Sequence, residues 1–404
     1  MHQPTTAQRY GRLALTGGHL ILPDRVETGV ALVIEGGRIA GVAAPDELGT
    51  ATEVLDVGGR YVAPGLIDIH THGAAGHTFN EPAAEAFAAI TAANAAAGVT
   101  GLLATIATDA LPNLLASLAF CGEWMRQPLA GAQVLGAHLE GPYFSFEQRG
   151  AQDPAHLRTP DDGTAELLLA HHAVMRIMSF APELPGALEL TRRLTELGVV
   201  AAAGHSSARE EHVRAAMECG LRHAIHLWSG QSSTVREGPW RRPGLLEASL
   251  TFEGLTAEVI ADNRHLPPTL MRLAYICLGA DRLCAVSDAT SGAGLPEGAR
   301  FRMGGMEYEV HDGVGMLLDR TAFAGSTTLL SRMIPILRDE VGIPLAEAVR
   351  MASLTPARVI GVDGRKGSLE AGKDADIAVF EPDFTAWRTM IGGRWVYEAG
   401  DGPR

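Results

Sequence analysis

The chain has 404 residues, which is enough for two or three domains or for one large α/β barrel with a small companion domain. Hydrophobic residues make up 46% of it and charged residues 20%, which is typical of soluble globular proteins and excludes a largely disordered chain. The formal net charge of −14 argues against nucleic acid as the main partner, because a phosphate backbone needs a basic surface. It does not exclude a small anionic substrate, which needs only a local cluster of Arg and backbone N–H groups.

The cysteine pattern indicates an intracellular protein. Four cysteines form neither a C-x-x-C pair nor a disulfide framework, so we expect reduced thiols and a cytoplasmic location. The first residues, Met1–Leu15, have no apolar core of signal-peptide length. No stretch of the sequence approaches the roughly 18 apolar residues of a membrane span, so we expect no membrane association.

The two ends of the chain share a pattern of short apolar runs separated by turn residues. Near the N-terminus, this pattern predicts strands over Leu13–Thr16, His19–Leu22, Gly29–Glu35 and Arg38–Val42. Near the C-terminus, it predicts strands over Ala375–Glu381, Thr389–Ile391 and Arg394–Tyr397. Because chain ends often lie close in space, we predict one small β-sandwich made from residues 1–62 and 363–404.

Residues 63–362 alternate short buried runs with longer helical stretches. The predicted strands are Gly65–His70, Thr100–Ile106, Val134–Gly141, Arg176–Ala181, Val199–Ser206, Ala224–Ser229, Thr256–Asp262 and Leu283–Asp288. Eight strand–helix repeats favour a TIM-like (β/α)8 barrel as the catalytic domain. A doubly wound sheet is the alternative, but no Gly-x-Gly-x-x-Gly follows the first strand. A Gly-rich stretch between Leu295 and Phe323 predicts a hairpin inserted after the eighth strand.

Metal-type ligands stand at the C-terminal ends of five predicted strands. They are His70 and His72 on the first strand, Glu140 on the third, His205 on the fifth, His226 on the sixth and Asp288 on the eighth. Barrel enzymes build their active sites from these strand ends. Spacing of the His-x-His type places both rings on one face of a strand. The sequence therefore predicts a metal site at the mouth of the barrel.

Each of these residues taken singly has an ordinary structural explanation. A lone histidine is usually satisfied in the core or lies on the surface, and a lone carboxylate is often part of an ion pair or a cap. Their coincidence on five strands favours the metal site. His138 shares a face with Glu140 and is a candidate to orient a ligand from behind, whereas His223 is expected to be structural.

The ligand types also indicate the chemistry. Imidazole and carboxylate ligands without cysteine suit Zn²⁺, Fe²⁺ or similar ions. Glu140 is placed to bridge two ions, one held by His70, His72 and Asp288 and the other by His205 and His226. A water bound to such ions loses its proton near neutral pH, and Asp288 is the carboxylate placed to accept it. The only lysines are Lys366 and Lys373, so no earlier lysine is available as a Schiff base or a carbamylated metal bridge.

Several motifs resemble those of known enzymes. The run APGLIDIHTHG at Ala63–Gly73 resembles the first-strand motif of the amidohydrolase superfamily, and Gly367–Asp376 resembles its return into the β-sandwich. The motifs HLEGPY at His138–Tyr143, AGHS at Ala203–Ser206 and SDA at Ser287–Ala289 are similar to those of N-acetylglucosamine-6-phosphate deacetylases. Superfamily members that bridge two metals with a carbamylated lysine are excluded by the lysine count. Deacetylase-like members use a strand-three glutamate instead.

The resemblance implies a metal-dependent hydrolase that converts N-acetylglucosamine-6-phosphate to glucosamine-6-phosphate and acetate. It implies one or two divalent ions, with zinc or iron favoured. It further implies that metal-bound hydroxide attacks the amide and that Asp288 acts as general base and then general acid.

The residues expected to bind the substrate depart from the family pattern. Gln152 replaces a histidine that contacts the sugar, and Ser229 and Gly230 replace an Asn-Ala pair whose backbone N–H groups hold phosphate. The phosphate-binding arginine matches Arg241 best, with Arg236 as the alternative. His265 matches a histidine that in relatives reaches the phosphate of the neighbouring subunit, which implies a homodimer.

These departures leave the exact substrate open. N-acetylgalactosamine-6-phosphate, another N-acyl amino sugar or an N-acyl-D-amino acid are alternatives. A catalytically idle relative that binds a sugar is the non-enzymatic alternative. The presence of all six metal-type residues favours an enzyme.

Overall fold

The computed structural model describes residues 11–129, 131–303 and 305–400. Part of the stretch Met1–Leu15 and the last residues of the range 363–404 lie outside these described residues. Within the described part of the chain, no helix is long and apolar enough to cross a membrane.

The N-terminal strands alternate with tight turns, as the sequence predicts. They are β1 Arg12–Thr16, β2 His19–Ile21, β3 Val26–Glu27, β4 Ala31–Glu35, β5 Arg38–Ala43, β6 Glu53–Asp56 and β7 Tyr61–Pro64. The hairpin at Gly36–Gly37 joins the antiparallel pair β4 and β5, and both glycines have positive φ, 58° and 82°. This is the backbone conformation that a two-residue hairpin turn requires.

The middle of the chain supplies the barrel. Its strands and the short hairpins between them are β8 Leu66–Thr71, β9 Gly73–Ala74, β10 His77–Thr78, β11 Val99–Ala107, β12 Gln133–Glu140, β13 Met175–Phe180, β14 Val200–Ala203, β15 His223–Ala224, β16 Val235–Glu237, β17 Trp240–Arg242, β18 Thr256–Ile260 and β19 Leu283–Val286. Eight of them form one parallel sheet in the order β19-β18-β15-β14-β13-β12-β11-β8. A parallel bridge between Thr71 and Ala289 and a hydrogen bond from Asp288 N to His70 O (2.8 Å) join its two edges.

Helices pack around the sheet. They are α1 Ala84–Ala95, α2 Leu111–Trp124, α3 Ala165–Leu169, α4 Ala187–Glu196, α5 Glu210–Glu218, α6 Leu245–Thr251, α7 Pro268–Arg282, α8 Met333–Pro335, α9 Leu345–Met351 and α10 Leu354–Val359, and α8 continues into a π-helical turn over Ile336–Glu340. Strand and helix residues share one buried apolar cluster. The predicted (β/α)8 barrel is confirmed.

The Gly-rich insertion after the eighth strand is larger than a hairpin. It forms a four-stranded antiparallel sheet of β20 Arg300–Met303, β21 Met306–His311, β22 Val314–Leu317 and β23 Phe323–Ser326. Its apolar face includes Phe301, Tyr308 and Val310, and Tyr308 donates a hydrogen bond to the carbonyl of Ala151 (2.9 Å). The insertion therefore lies against the loop that follows β12.

The two chain ends meet in a β-sandwich. The C-terminal strands β24 Ile377–Phe380, β25 Ala386–Ile391 and β26 Arg394–Glu398 join a six-stranded sheet of order β26-β25-β24-β7-β2-β3. The other sheet has the order β5-β4-β1-β6, and a second apolar cluster fills the space between them. The domain limits at residues 62 and 363 stay a prediction.

Both lysines of the chain lie where the C-terminal segment returns to the barrel. The ammonium group of Lys366 donates to Asp376, and these side chains are only 9% and 3% exposed. The backbone carbonyl of Asp376 accepts a hydrogen bond from Gly65 N (2.9 Å), immediately before the first barrel strand. This buried ion pair therefore links the sandwich to the barrel.

Replacing Lys366 with Met is expected to lower the free energy of unfolding by about 3–5 kcal/mol, because it leaves a buried carboxylate without its cation. Chemical denaturation followed by circular dichroism measures the change. The double variant Lys366→Met with Asp376→Asn removes both charges and should regain most of the loss. A loss below about 1 kcal/mol in the single variant would contradict the proposed role of the pair.

Candidate functional site

Four histidines and two carboxylates meet at the C-terminal mouth of the barrel. All are buried, with at most 8% of their surface exposed, and they are His70, His72, Glu140, His205, His226 and Asp288. The structure thus brings together all six residues that the sequence singles out as metal-type ligands. Their role as ligands stays a prediction.

The backbone at the strand ends aims these side chains inward. His70 lies within β8 and Glu140 is the last residue of β12, whereas His205, His226 and Asp288 each lie two residues beyond their strands. These last three have positive φ angles of 44°, 22° and 46°. Such a conformation costs a residue other than glycine about 1–3 kcal/mol and is concentrated at functional sites.

Glu140 is the centre of the cluster. Its Oε1 atom lies 3.2 Å from His205 Nε2, 3.1 Å from His226 Nε2 and 3.5 Å from His70 Nε2. Its Oε2 atom lies 3.3 Å from His72 Nε2. One carboxylate therefore faces four imidazoles. The glycine after it is required by space, because a Cβ at Gly141 would lie 2.2 Å from Thr108 Oγ1.

Asp288 closes the other side of the cluster. Its Oδ1 atom lies 3.2 Å from His72 Nε2 and 3.5 Å from His70 Nε2. Asp288 also lines the cavity above the cluster. It is therefore in contact with the histidine pair and open to a ligand in that cavity.

The spacing of these atoms fits a metal ion. Ligand atoms at 2.0–2.1 Å from a tetrahedral ion lie about 3.3 Å apart, and the separations above are 3.1–3.5 Å. His70 Nε2 is buried and has no hydrogen-bond partner among the described residues, although it faces both carboxylates. Oxygen and nitrogen donors of this kind suit Zn²⁺, Fe²⁺ and similar ions. The residues present thus fit a metal site.

The electrostatics of the cluster favour a bound cation. Burial raises the pKa of the Glu140 carboxyl, but hydrogen bonds from His205 and His226 outweigh it and hold this pKa well below its ordinary value. Burial lowers the pKa of His72, but hydrogen bonding to Asp288 and Glu140 raises it to about 9. Both shifts keep Glu140 and Asp288 in their anionic form beside the imidazoles, so the cluster offers a cation two buried carboxylates.

The Nδ1 atoms behind the histidines have different partners. His205 Nδ1 donates to the carbonyl of Gln148 (2.9 Å) and His226 Nδ1 to that of Ser229 (3.1 Å). His70 Nδ1 instead faces the carboxylate of Glu258 at 2.7 Å. His72 Nδ1 is buried and has no partner within the described ranges. Such contacts fix the tautomer and the ring orientation of a ligating histidine.

Glu258 was missed by the sequence reasoning, which treated Thr256–Asp262 only as a barrel strand. It lies in β18, is fully buried and also faces His223 Nε2 at 3.1 Å. A carboxylate within an otherwise apolar strand is the signal that could have identified it. His138, the candidate to orient a ligand, contacts Ser179 Oγ and the carbonyl of Ile69, and its ring packs edge-on against His70 at 4.6 Å.

A cavity of about 180 Å³ lies above the cluster. Gln152, which replaces the histidine expected to contact the sugar, lies in its wall. Gln152 donates through Nε2 to Glu140 Oε2 (2.6 Å) and accepts a hydrogen bond from Thr108 N (3.0 Å). It therefore orients the central carboxylate as well as facing the cavity.

The expected substrate residues His265, Ser229 and Gly230 also line this cavity. His265 Nδ1 pairs with Asp262 at 2.7 Å, and its ring packs edge-on against Phe323 at 5.1 Å. It lines the cavity of its own chain, and its expected reach to the phosphate of a neighbouring subunit stays a prediction. The homodimer itself stays a prediction. Gly230 lies against the metal-type ligands, because a Cβ there would be 2.6 Å from His205 Nδ1.

Arg241 lies on an exposed hairpin rather than in the cavity wall. It pairs with Arg236 across the exposed hairpin β16–β17, and neither is among the residues that line the cavity. The physical reason is the inserted hairpin, which extends into solvent and brings Arg241 Nη1 within 3.4 Å of the carbonyl of Pro239. Its role in holding a phosphate stays a prediction.

The sequence matches the model of the amidohydrolase family over residues 61–396. It is 31% identical over 377 residues to N-acetylglucosamine-6-phosphate deacetylase of Vibrio furnissii, covering 93% of this chain and 92% of that protein. It is 34% identical over 337 residues to N-acetylgalactosamine-6-phosphate deacetylase of Escherichia coli O157:H7, covering 82% and 87%.

Solved structures give the same result. N-acetylglucosamine-6-phosphate deacetylase from Pasteurella multocida superposes with a TM-score of 0.89 and 28% identity, over 95% of this chain and 99% of that one. A mutant of the Mycobacterium smegmatis deacetylase, in complex with N-acetyl-D-glucosamine-6-phosphate, superposes with a TM-score of 0.88 and 29% identity, over 96% and 100%.

Replacing Glu140 with Gln should reduce the metal retained after dialysis to less than about a tenth of the wild-type level, because it removes the charge on which four histidines converge. Inductively coupled plasma mass spectrometry measures metal per chain. His77→Asn is the control, since His77 lies just after β8, the strand of His70, but pairs with Glu81 outside the cluster. Unchanged metal content in the Glu140 variant would contradict the assignment.

Proposed function

Because the chain belongs to the amidohydrolase family, we propose that it is a deacetylase that hydrolyses the amide of N-acetylglucosamine-6-phosphate. The products are glucosamine-6-phosphate and acetate. The observation that carries this proposal is the complete cluster of four histidines and two carboxylates at the mouth of the barrel. An idle sugar-binding relative would not need to retain all six.

Two groups of residues would hold the metal. Glu140, His205 and His226 form one, and His70, His72 and Asp288, with Glu140 between them, form the other. We infer zinc or iron, since the donors are imidazole and carboxylate without cysteine. When bound, such an ion polarises the amide carbonyl and makes a water molecule acidic enough to attack at neutral pH.

Asp288 moves the proton in this mechanism. Burial raises its pKa, but hydrogen bonding to His72 outweighs it and lowers the pKa below its ordinary value, so the side chain is ionised and can act as a base. It takes the proton of the attacking water as the carbon–oxygen bond forms. It then passes that proton to the amine nitrogen as the carbon–nitrogen bond breaks, which releases acetate and the free amine.

The cavity wall would position the sugar. The backbone N–H group of Gly230 and the imidazole of His265 are placed to hold an anionic group. Ser229 lines the same wall, with its backbone N–H donated to the carbonyl of His226 (3.0 Å). Asp262 holds the ring of His265 in place from behind. We assign the phosphate to this side of the cavity.

N-acetylgalactosamine-6-phosphate is the second candidate substrate. The relative that acts on it is 34% identical to this chain, slightly more than the N-acetylglucosamine-6-phosphate deacetylase of Vibrio furnissii at 31%. The two sugars differ only in the configuration of one hydroxyl group. Gln152, which departs from the family pattern, lines the cavity, and we expect it to lie near that hydroxyl group.

Protein reconstituted with Zn²⁺ or Fe²⁺ should release acetate from N-acetylglucosamine-6-phosphate, and Asp288→Asn should lower kcat by about 10²–10⁴-fold, because the proton shuttle is lost. Acetate release in a coupled assay measures this. Asp281→Asn changes an exposed aspartate that pairs with Arg350 and Arg358, and its rate should equal the wild-type rate. No release from either sugar phosphate by metal-loaded protein would refute the proposed function.

Phosphate recognition is expected to depend on His265. His265→Asn should lower kcat/KM for the phosphorylated sugar by about 10–100-fold, the value of a hydrogen bond to a charged group, and leave kcat/KM for unphosphorylated N-acetylglucosamine nearly unchanged. Steady-state kinetics with both sugars measures the two values. An equal loss with both sugars would place His265 away from the phosphate.

A further inference from the structure

One histidine of the cluster differs from the others in what lies behind it. His205 and His226 are held by backbone carbonyls, whereas His70 is held by a carboxylate, that of Glu258. A carboxylate behind a ligating histidine fixes its tautomer and also makes the ring a stronger donor to a metal. The two halves of the cluster are therefore supported differently.

Glu258 is fully satisfied by N–H groups. Its Oε2 atom accepts from His70 Nδ1 (2.7 Å) and from the backbone N of His226 (3.2 Å). Its Oε1 atom faces His223 Nε2 at 3.1 Å, and His223 Nδ1 in turn lies 2.7 Å from Thr256 Oγ1. Glu258, His223 and His70 are all 0% exposed. This network leaves His70 Nε2 as the free face of the ring, directed at Glu140 and Asp288.

The other histidine of this half has no such support. His72 Nδ1 is buried without a partner in the part of the chain that the structure describes. Within this pair, only the His70 ring is held from behind, and Glu258 is the group that holds it. The rings of His205 and His226 are held by backbone carbonyls, and Glu258 reaches this half only through the backbone N of His226.

Charge leads to the same conclusion. Two divalent ions carry four positive charges, and Glu140 and Asp288 together offer two negative ones. Placing a second cation beside the first in a buried site is costly unless further negative charge is near. Glu258 supplies that charge one imidazole ring away from the histidine pair.

We propose that Glu258 is a positioning residue that enables the His70–His72 half to hold a metal ion of its own, so that this chain binds two ions and loses one without Glu258. This inference rests on the proposed function, since it concerns the same site. It goes beyond it by settling the number of ions and naming the residue that determines it.

Glu258→Gln is the decisive variant because it removes the charge and keeps the shape. The amide oxygen can still accept from His70 Nδ1 and His226 N. The amide NH₂ can donate to His223 Nε2, provided that His223 adopts the tautomer that donates from Nδ1 to Thr256. His223→Gln is the matched control, because it alters the other partner of Glu258 and leaves Glu258 and His70 in contact.

The experiment is a titration of the metal-free protein with Co²⁺ alone, followed by visible absorption and by metal content after equilibrium dialysis. Wild type and His223→Gln should take up two Co²⁺ per chain. Glu258→Gln should take up one with the same affinity and the second only at about 10–100-fold higher Co²⁺. Thermal unfolding of the metal-free proteins shows that each is folded.

Three results would overturn the proposal: a wild type that saturates at one ion, an unchanged second phase in Glu258→Gln, or an equal loss in His223→Gln. If Glu258→Gln does not fold, ¹⁵N-histidine spectra of the zinc-loaded wild type test the proposal instead. The proposal requires the Nδ1–H tautomer of His70, and the Nε2–H tautomer would refute it. Acetate release is measured separately. If two ions bind and the second requires Glu258, but no acetate is released, only the proposed function is refuted. If acetate is released but binding of the second ion does not require Glu258, only this inference is refuted.

Discussion

The buried carboxylate of Glu140 is the constraint on which the rest of the site depends. An ionised carboxylate inside a protein is stable only when it is paired or bound to a metal. Here it is 1% exposed and lies within 3.5 Å of four imidazole nitrogens. The four imidazoles surround this carboxylate, and two of them also face a second carboxylate, that of Asp288. Such a set of donors is suited to divalent cations. Metal-assisted hydrolysis follows from that arrangement.

The barrel explains how such a cluster can exist. Eight parallel strands end at one face, so residues far apart in sequence meet there without long loops. Three positive-φ residues and several buried charges destabilise the fold, and the large apolar cluster around the strands offsets this cost. The β-sandwich built from both chain ends lies apart from the cluster and contributes none of its six residues.

The sequence predicted the features that depend on local pattern. Apolar runs located the eight strands, and residues at their ends, such as His70 and Asp288, were placed together because barrel topology is regular. Glu258 was not found, because its partners come from other strands and only tertiary packing reveals that it faces His70. The motif match for Arg241 includes an insertion and so could not specify that this residue lies on the exposed hairpin β16–β17. His265, which the resemblance matches to a phosphate-contacting histidine, lines the cavity of its own chain.

Anomalous diffraction from crystals of the zinc-loaded protein tests the central claim most directly, because it locates ions without reference to activity. We expect two peaks beside Glu140, one bounded by His205 and His226 and the other by His70, His72 and Asp288. A single peak would refute the two-ion site. A peak surrounded by His70, His138 and Glu258 instead would contradict the assignment of Glu140 as the central ligand.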